Sequence, residues 1–136
     1  MSSAGYSGTP LWKKLGIKPG MRLRTRGAPG DYEDLIAPIP NGVTLSTSIR
    51  TNIDLVHLFT RSRAELTEWV PKLLSMIQRD GMIWVSWPKR ASRVPTDVTE
   101  DTIREIALPL GLVDVKVCAV DATWSGLKLV IRKELR

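Results

Sequence analysis

The chain of 136 residues holds one cysteine, Cys118, and one histidine, His57, and that scarcity excludes several chemistries at once. A single thiol cannot close an internal disulfide or build a cage of thiolates around a metal within one chain, and it points to a reducing compartment. His57 has no second histidine with which to share a metal, and no serine stands in triad order with it. Placed between Val56 and Leu58 in an apolar run, it reads as a structural histidine satisfied by its neighbours. Cys118 alternates with apolar residues and reads as a small buried side chain. As a nucleophile it would need His57 as base, and nothing local brings the two together. The sequence therefore assigns no catalytic residue, no metal ligand and no cofactor. Long apolar runs are also missing, since none approaches the roughly 20 residues a bilayer requires. The opening MSSAGYSGTP lacks the charged and apolar regions of a secretion signal. The expectation is a cytoplasmic protein with no membrane contact.

Acidic residues are absent from the first 30 positions, where Lys13, Lys14, Lys18, Arg22, Arg24 and Arg26 stand. The chain carries 20 basic and 14 acidic residues, a net charge of +6. The excess is thus an N-terminal property and the remainder is balanced. Hydrophobic residues make up 43% and charged residues 25%, ordinary for a globular protein and against wholesale disorder. Repeats and low-complexity tracts are absent.

What is present is a succession of short periodic segments. After a flexible start over residues 1–8, a single domain is expected over 9–136. Thr9-Pro10 before LWKKLG reads as the cap and first position of a very short helix that Gly16 stops. MRLRT alternates like a strand, with Arg22 and Arg24 on one face. DYEDLIA reads as a short helix with acids at its start. VTLST is a second strand, and DLVHLF, 54–59, a third that is apolar enough to be covered on both faces. Ser62 and Glu65 have capping-box spacing ahead of Leu66, Trp69, Val70, Leu73, Leu74 and Ile77, with Pro71 expected to kink that helix or shift its start. Arg79-Asp80-Gly81 is expected to turn the chain into MIWVSW. A second amphipathic helix begins near Thr99 and closes at Pro109 and Gly111. VDVKVCAV and TWSGLKLVIRK should form a hairpin around Asp121-Ala122, with Ser125-Gly126 as a bulge. The alternation of strands and helices from 54 to 120 implies an α/β fold: a reduced Rossmann-like three-layer arrangement, mostly parallel, of about six strands, ending in an antiparallel hairpin.

LWKKLGIKPG, GMIWVSWPK and DATWSGLKLV together resemble domain-of-unknown-function family 3052, short bacterial α/β proteins. The stretch from DLVHLF onward is more distantly similar to the second half of Rossmann-like S-adenosylmethionine methyltransferases, which end in a comparable hairpin. That second resemblance implies a glycine-rich turn after the first strand and an acidic residue ending the second. Here the first turn is RGAPGDY, without a GxGxxG pattern, and the second strand ends in Ser46-Thr47-Ser48.

In an open parallel sheet, ligands bind beyond the carboxyl ends of the strands. RGAPGDY, TRSR, WPKRASR and VDATWS should all leave that end, which collects Gly27, Gly30, Asp31, Arg61, Arg63, Lys89, Arg90, Asp121 and Trp124 as candidate ligand-binding residues. Lys89, Arg90 and Arg63 would supply charge, Gly27 and Gly30 close backbone approach, and Trp124 a wall. Such a rim suits an anionic small molecule or an acidic protein partner, in a binding or regulatory role. Two alternatives stand beside it: a reduced methyltransferase-like enzyme, and nucleic-acid binding through the basic N-terminal segment. Exposed edge strands would also permit a homodimer.

Overall fold

Residues 8–136 are described by a computed structural model; the expected flexible start lies, apart from Gly8, outside them. Pro10 takes the cap position of α1 (Leu11–Leu15), one residue later than the Thr9 cap the sequence suggests, and Gly16 ends the helix at φ 85°. β1 (Arg22–Arg26) is followed by α2 (Tyr32–Ile36), whose first turn carries Glu33 and Asp34 against the helix dipole. β2 (Thr44–Ser46) and β3 (Ile53–Phe59) come next. The Ser62 hydroxyl accepts from the Glu65 amide and opens α3 (Arg63–Leu74). Pro71 falls in the last turn of α3, and the helix continues through it to Leu74. β4 (Ile77–Pro88) leads through a 3-10 turn at 90–92 to α4 (Glu100–Ala107), opened by a reciprocal Thr99–Thr102 capping box. β5 (Leu112–Ala119) and β6 (Trp124–Ile131) form the final hairpin.

The six strands make one sheet in the order β2-β1-β3-β4-β6-β5. β2, β1, β3 and β4 are mutually parallel, β6 is antiparallel to β4, and β5 is antiparallel to β6 and so parallel to the rest. The expected α/β fold, mostly parallel with an antiparallel C-terminal hairpin, is the one observed. Alternate residues of the central strands serve two cores, as the period of a pleated strand requires. Val56, Leu58, Ile83, Val85, Leu127 and Leu129 pack against α3 and α4. On the other face Leu23, Leu55, Phe59 and Trp84 meet Leu15, Ile17, Tyr32 and Ile36. The Trp84 indole donates to the Leu15 carbonyl at 2.9 Å, which pins the short α1 to the sheet.

Two expected turns are placed differently. Arg79-Asp80-Gly81 lies inside β4: that strand advances from Ile77 to Met82 while β3 advances only from Ile53 to Leu55, so the extra residues bulge. Gly81 fits there because a Cβ would meet the Gln78 carbonyl oxygen at 2.9 Å. Ser125-Gly126 is no bulge, since these residues pair regularly with Trp87 and Ser86. Gly126 instead admits the Ser86 hydroxyl, 3.0 Å from where its Cβ would be. The irregularity of the hairpin falls at Val115, between the Asp114–Leu129 and Lys116–Lys128 pairs.

The arginines of β1 have a structural explanation. The 47–52 connection crosses to β3 without a helix, and its free carbonyls need donors. Arg24 donates to the Ile49 carbonyl at 2.8 Å and Arg22 to that of Thr51 at 3.3 Å. Arg26 lies 3.7 Å over the Trp69 ring and pairs with Glu65 at 3.3 Å. Arg24 is only 7% exposed; burial first, then the charges of Arg50 and Arg26, pull its guanidinium below the ordinary arginine range.

Candidate functional site

The four connections expected at one rim do leave the same end of the sheet, and hydrogen bonds join neighbouring ones. Gly27, at φ 72°, lies so close to the end of β3 that a Cβ would stand 2.5 Å from the Phe59 carbonyl oxygen. The Thr60 amide donates to Ser86 at 3.0 Å, and the Lys89 amide to Thr123 at 2.7 Å. The Arg61 carbonyl accepts from the Thr96 hydroxyl at 2.8 Å, and Asp97 in turn accepts from the Arg63 amide at 2.7 Å.

Within this rim the candidate residues separate. Arg63 points its guanidinium at Glu105, 2.8 Å away. Asp121 closes the hairpin, its carboxylate accepting from the Thr123 and Trp124 amides at 2.8 Å each. Trp124 is half-buried and packs edge-on against Phe59, with centroids 5.1 Å apart. The glycine at 27 serves strand packing rather than an open approach, whereas nothing stands within 4 Å of a Cβ built on Gly30. Asp31 is exposed at the start of α2.

Arg61, Lys89 and Arg90, with Arg93, form the other group. Among the described residues none of these four side chains meets a carboxylate at ion-pair distance. Arg90 and Arg93 line a cavity of about 510 Å³ beyond the carboxyl end of β4, together with Trp87, Val98, Thr96 and Glu100. Arg61 adjoins it through Thr96, and Lys89 through the chain. The loop is braced internally: the Ser92 hydroxyl donates to the Lys89 carbonyl at 2.6 Å and accepts from the Val94 amide at 3.2 Å. Arg93 takes a left-handed conformation, φ 61°, uncommon for a residue with a side chain. Glu100, which also lines the cavity, is tied to Arg104.

Beneath the rim runs a buried polar line that no local sequence pattern discloses. Tyr32 Oη lies 2.8 Å from His57 Nδ1, and His57 Nε2 lies 2.6 Å from Ser86 Oγ. All three are buried. Burial drives the imidazole pKa down to about 3 and raises that of the Tyr32 phenol above its ordinary range. The histidine is thus neutral and hydrogen-bonded through both nitrogens, the structural role expected for it. Cys118 is half-buried, and its thiol is pushed up by burial, against the smaller opposing charges of Lys14 and Lys116. Among the described residues no group of three His, Cys, Asp or Glu side chains is placed to hold a metal ion, and no helix is long and apolar enough to cross a membrane.

Solved structures share the fold. The fibrillarin pre-rRNA processing protein of Methanococcus jannaschii superposes with a TM-score of 0.63 at 11% identity, over 85% of this chain and 68% of its own. Aeropyrum pernix fibrillarin, in complex with natively bound S-adenosylmethionine, gives 0.60 at 14% identity, over 89% and 72%. The ribosomal protein L11 methylase of Lactobacillus delbrueckii subsp. bulgaricus gives 0.54 at 12% identity, over 88% and 74%. No curated protein sequence matches the chain.

In Rossmann-like sheets a cofactor of this kind sits beyond the carboxyl ends of the first strands. A cavity of about 490 Å³ does lie between the ends of β1 and β2, lined by Thr25, Gly30, Tyr32, Glu33 and Ser46. A carboxylate should end β2 to receive ribose hydroxyls; Ser46 ends it instead, and its hydroxyl already accepts from the Ser48 and Ile49 amides. Gly27 is likewise claimed by Phe59. These residues do not fit S-adenosylmethionine, and the likeness carries the fold alone. A family model for a protein of unknown function, DUF3052, matches residues 13–133, and the chain belongs to that family.

Proposed function

We propose that the protein binds an anionic small molecule in the cavity beyond the carboxyl end of β4, with Arg90 and Arg93 as its charged donors and Arg61 and Lys89 adding to the local field. The observation that carries this reading is the pair of arginines lining one cavity without a carboxylate partner among the described residues. A ligand there would replace water on two guanidinium groups that have planar donor sets suited to phosphate or carboxylate. The brace from Ser92 holds the loop in place before a ligand arrives, which lowers the ordering cost of binding. Trp87 and Val98 add apolar area, as ligand sites usually require. The role is read as binding or regulation because Glu100, the one carboxylate in this lining, is occupied by Arg104.

Thermal-shift and calorimetric titrations with inorganic phosphate, pyrophosphate, citrate and S-adenosylmethionine test it. A ligand that binds only the native state raises the melting temperature, and stabilisation is expected from the first three compounds. Each of Arg90→Ala and Arg93→Ala should weaken the affinity about 10- to 100-fold, from the worth of a hydrogen bond to a charged group. Unchanged affinity in the double variant, or stabilisation by S-adenosylmethionine alone, would overturn the reading.

A further inference from the structure

β5 ends the sheet: one side of it pairs with β6 and, among the described residues, no strand pairs with the other. Its two faces differ sharply in character. On the α1 side Lys116 stands directly opposite Lys128 of β6. Like charges in that position destabilise a strand pair. Lys14 and Lys18 lie within electrostatic reach of the same patch: the Lys128 ammonium is lowered by burial first and then by Lys116 and Lys18, and the Cys118 thiol feels Lys14 and Lys116. On the same strand Val115 and Val117 are 53% and 48% exposed, among the few large apolar residues left in water. The N-terminal basic segment is therefore divided by the fold. Arg22 and Arg24 serve the 47–52 connection and Arg26 meets Trp69 and Glu65 on one face, while Lys14 and Lys18 lie near Lys116 and Lys128 from the far end of the chain on the other.

We propose that the free edge of β5 receives an extended acidic segment of a partner protein as an added strand, with carboxylates facing Lys116 and Lys128 and apolar side chains beside Val115 and Val117. Strand addition supplies affinity through main-chain hydrogen bonds and specificity through alternate side chains; Lys116 and Val117 occupy successive regular pairs and so opposite faces of β5, which calls for acidic and apolar side chains in alternation there. Charge and exposed apolar area together favour this occupant over two others. A second copy paired through β5 would add its own Lys116 to the charge of Lys116 and Lys128. A nucleic-acid backbone would satisfy the lysines and leave the two valines without a partner.

The probe is a fluorescein-labelled octapeptide with blocked ends that alternates glutamate and valine, compared with its lysine–valine counterpart, a scrambled peptide of the same composition and an oligothymidylate of equal charge. Anisotropy titrations of the full chain should show binding of the Glu-Val peptide that weakens with salt, no binding of the Lys-Val peptide, and slowed hydrogen exchange at β5 amides. Lys116→Glu, at an exposed position, should lower the Glu-Val affinity at least tenfold and admit the Lys-Val peptide, with an unchanged circular dichroism spectrum. Absence of binding overturns the proposal. So does equal binding of the scrambled peptide, Lys116-dependent binding of the oligothymidylate at equal affinity, or a sedimentation dimer that protects β5 without any peptide. Because this edge is separate from the β4 cavity, Arg90→Ala with Arg93→Ala should leave peptide binding intact.

Discussion

Lowering the pH from 6.5 toward 5 should destabilise this protein through His57. The imidazole is wholly buried between Tyr32 and Ser86, and burial holds its pKa at about 3, against 6.5 for an ordinary histidine. Between those two values the unfolded chain binds a proton that the folded chain refuses. Stability is therefore complete above pH 6.5 and is lost as the pH falls through the window toward 3. Each unit of separation corresponds to about 1.4 kcal/mol, so the whole window represents roughly 5 kcal/mol, a large share of the stability of a small domain. The interval from pH 6.5 to 5 is where the unfolded histidine takes up its proton while the buried one stays neutral. Urea denaturation across that interval should show a loss of about 1.5–2 kcal/mol. Since the chain has one histidine, its ring resonances can be followed directly by NMR, and they should not titrate in the folded protein above pH 5. His57→Gln should be less stable at pH 7.5 by about 1–3 kcal/mol, from the hydrogen bonding it cannot fully replace, and should show no slope between pH 6.5 and 5. A native ring that titrates near 6.5, or a wild-type stability that is flat over the interval, would refute the reasoning.

Three further outcomes follow from the geometry. Gly27→Ala should cost about 2 kcal/mol or more, since the new Cβ meets the Phe59 carbonyl oxygen at 2.5 Å on a backbone at positive φ; the urea midpoint measures it, and an unaffected midpoint would mean the two connections separate easily. Trp84→Phe removes the bond to the Leu15 carbonyl and leaves unfilled volume, for an expected loss of about 2–3 kcal/mol, with hydrogen exchange in α1 accelerating more than that in α3. Asp121→Ala deprives the Thr123 and Trp124 amides of their acceptor and should cost about 0.5–2 kcal/mol, the range for a lost side-chain cap, read as a lower melting temperature; anion affinity at Arg90 and Arg93 should remain unchanged.

Whatever depends on a few neighbouring residues could be read directly from the chain. Gly16 and Gly111 stop helical turns in left-handed conformations. The Ser62 cap faces the Glu65 amide, and Thr99 opens α4. Capping and periodicity act over about one turn or one pleat, so their causes lie inside the window being read. The alternation of elements then led to the sheet, because few topologies satisfy it. Arg79-Asp80-Gly81 misled for the complementary reason: locally it is a turn, and only pairing with β3 makes it a bulge inside β4.

Tertiary structure alone decided which charges are free. Arg26, Arg63, Arg61 and Arg90 are alike as loop or strand-end arginines in sequence, yet the first two meet Glu65 and Glu105, 39 and 42 positions away, and the last two meet no carboxylate in the described structure. Tyr32, His57 and Ser86 are brought into line by contacts between residues 25 and 29 positions apart, and Lys116 faces Lys128 only through the register of one hairpin. A shift of one residue in any of these strands would send the side chain to the opposite face. The amino-acid order by itself therefore determined the elements and the end of the sheet where they converge, while strand order and register determined which side chains meet there, because those are properties of pairings between distant segments.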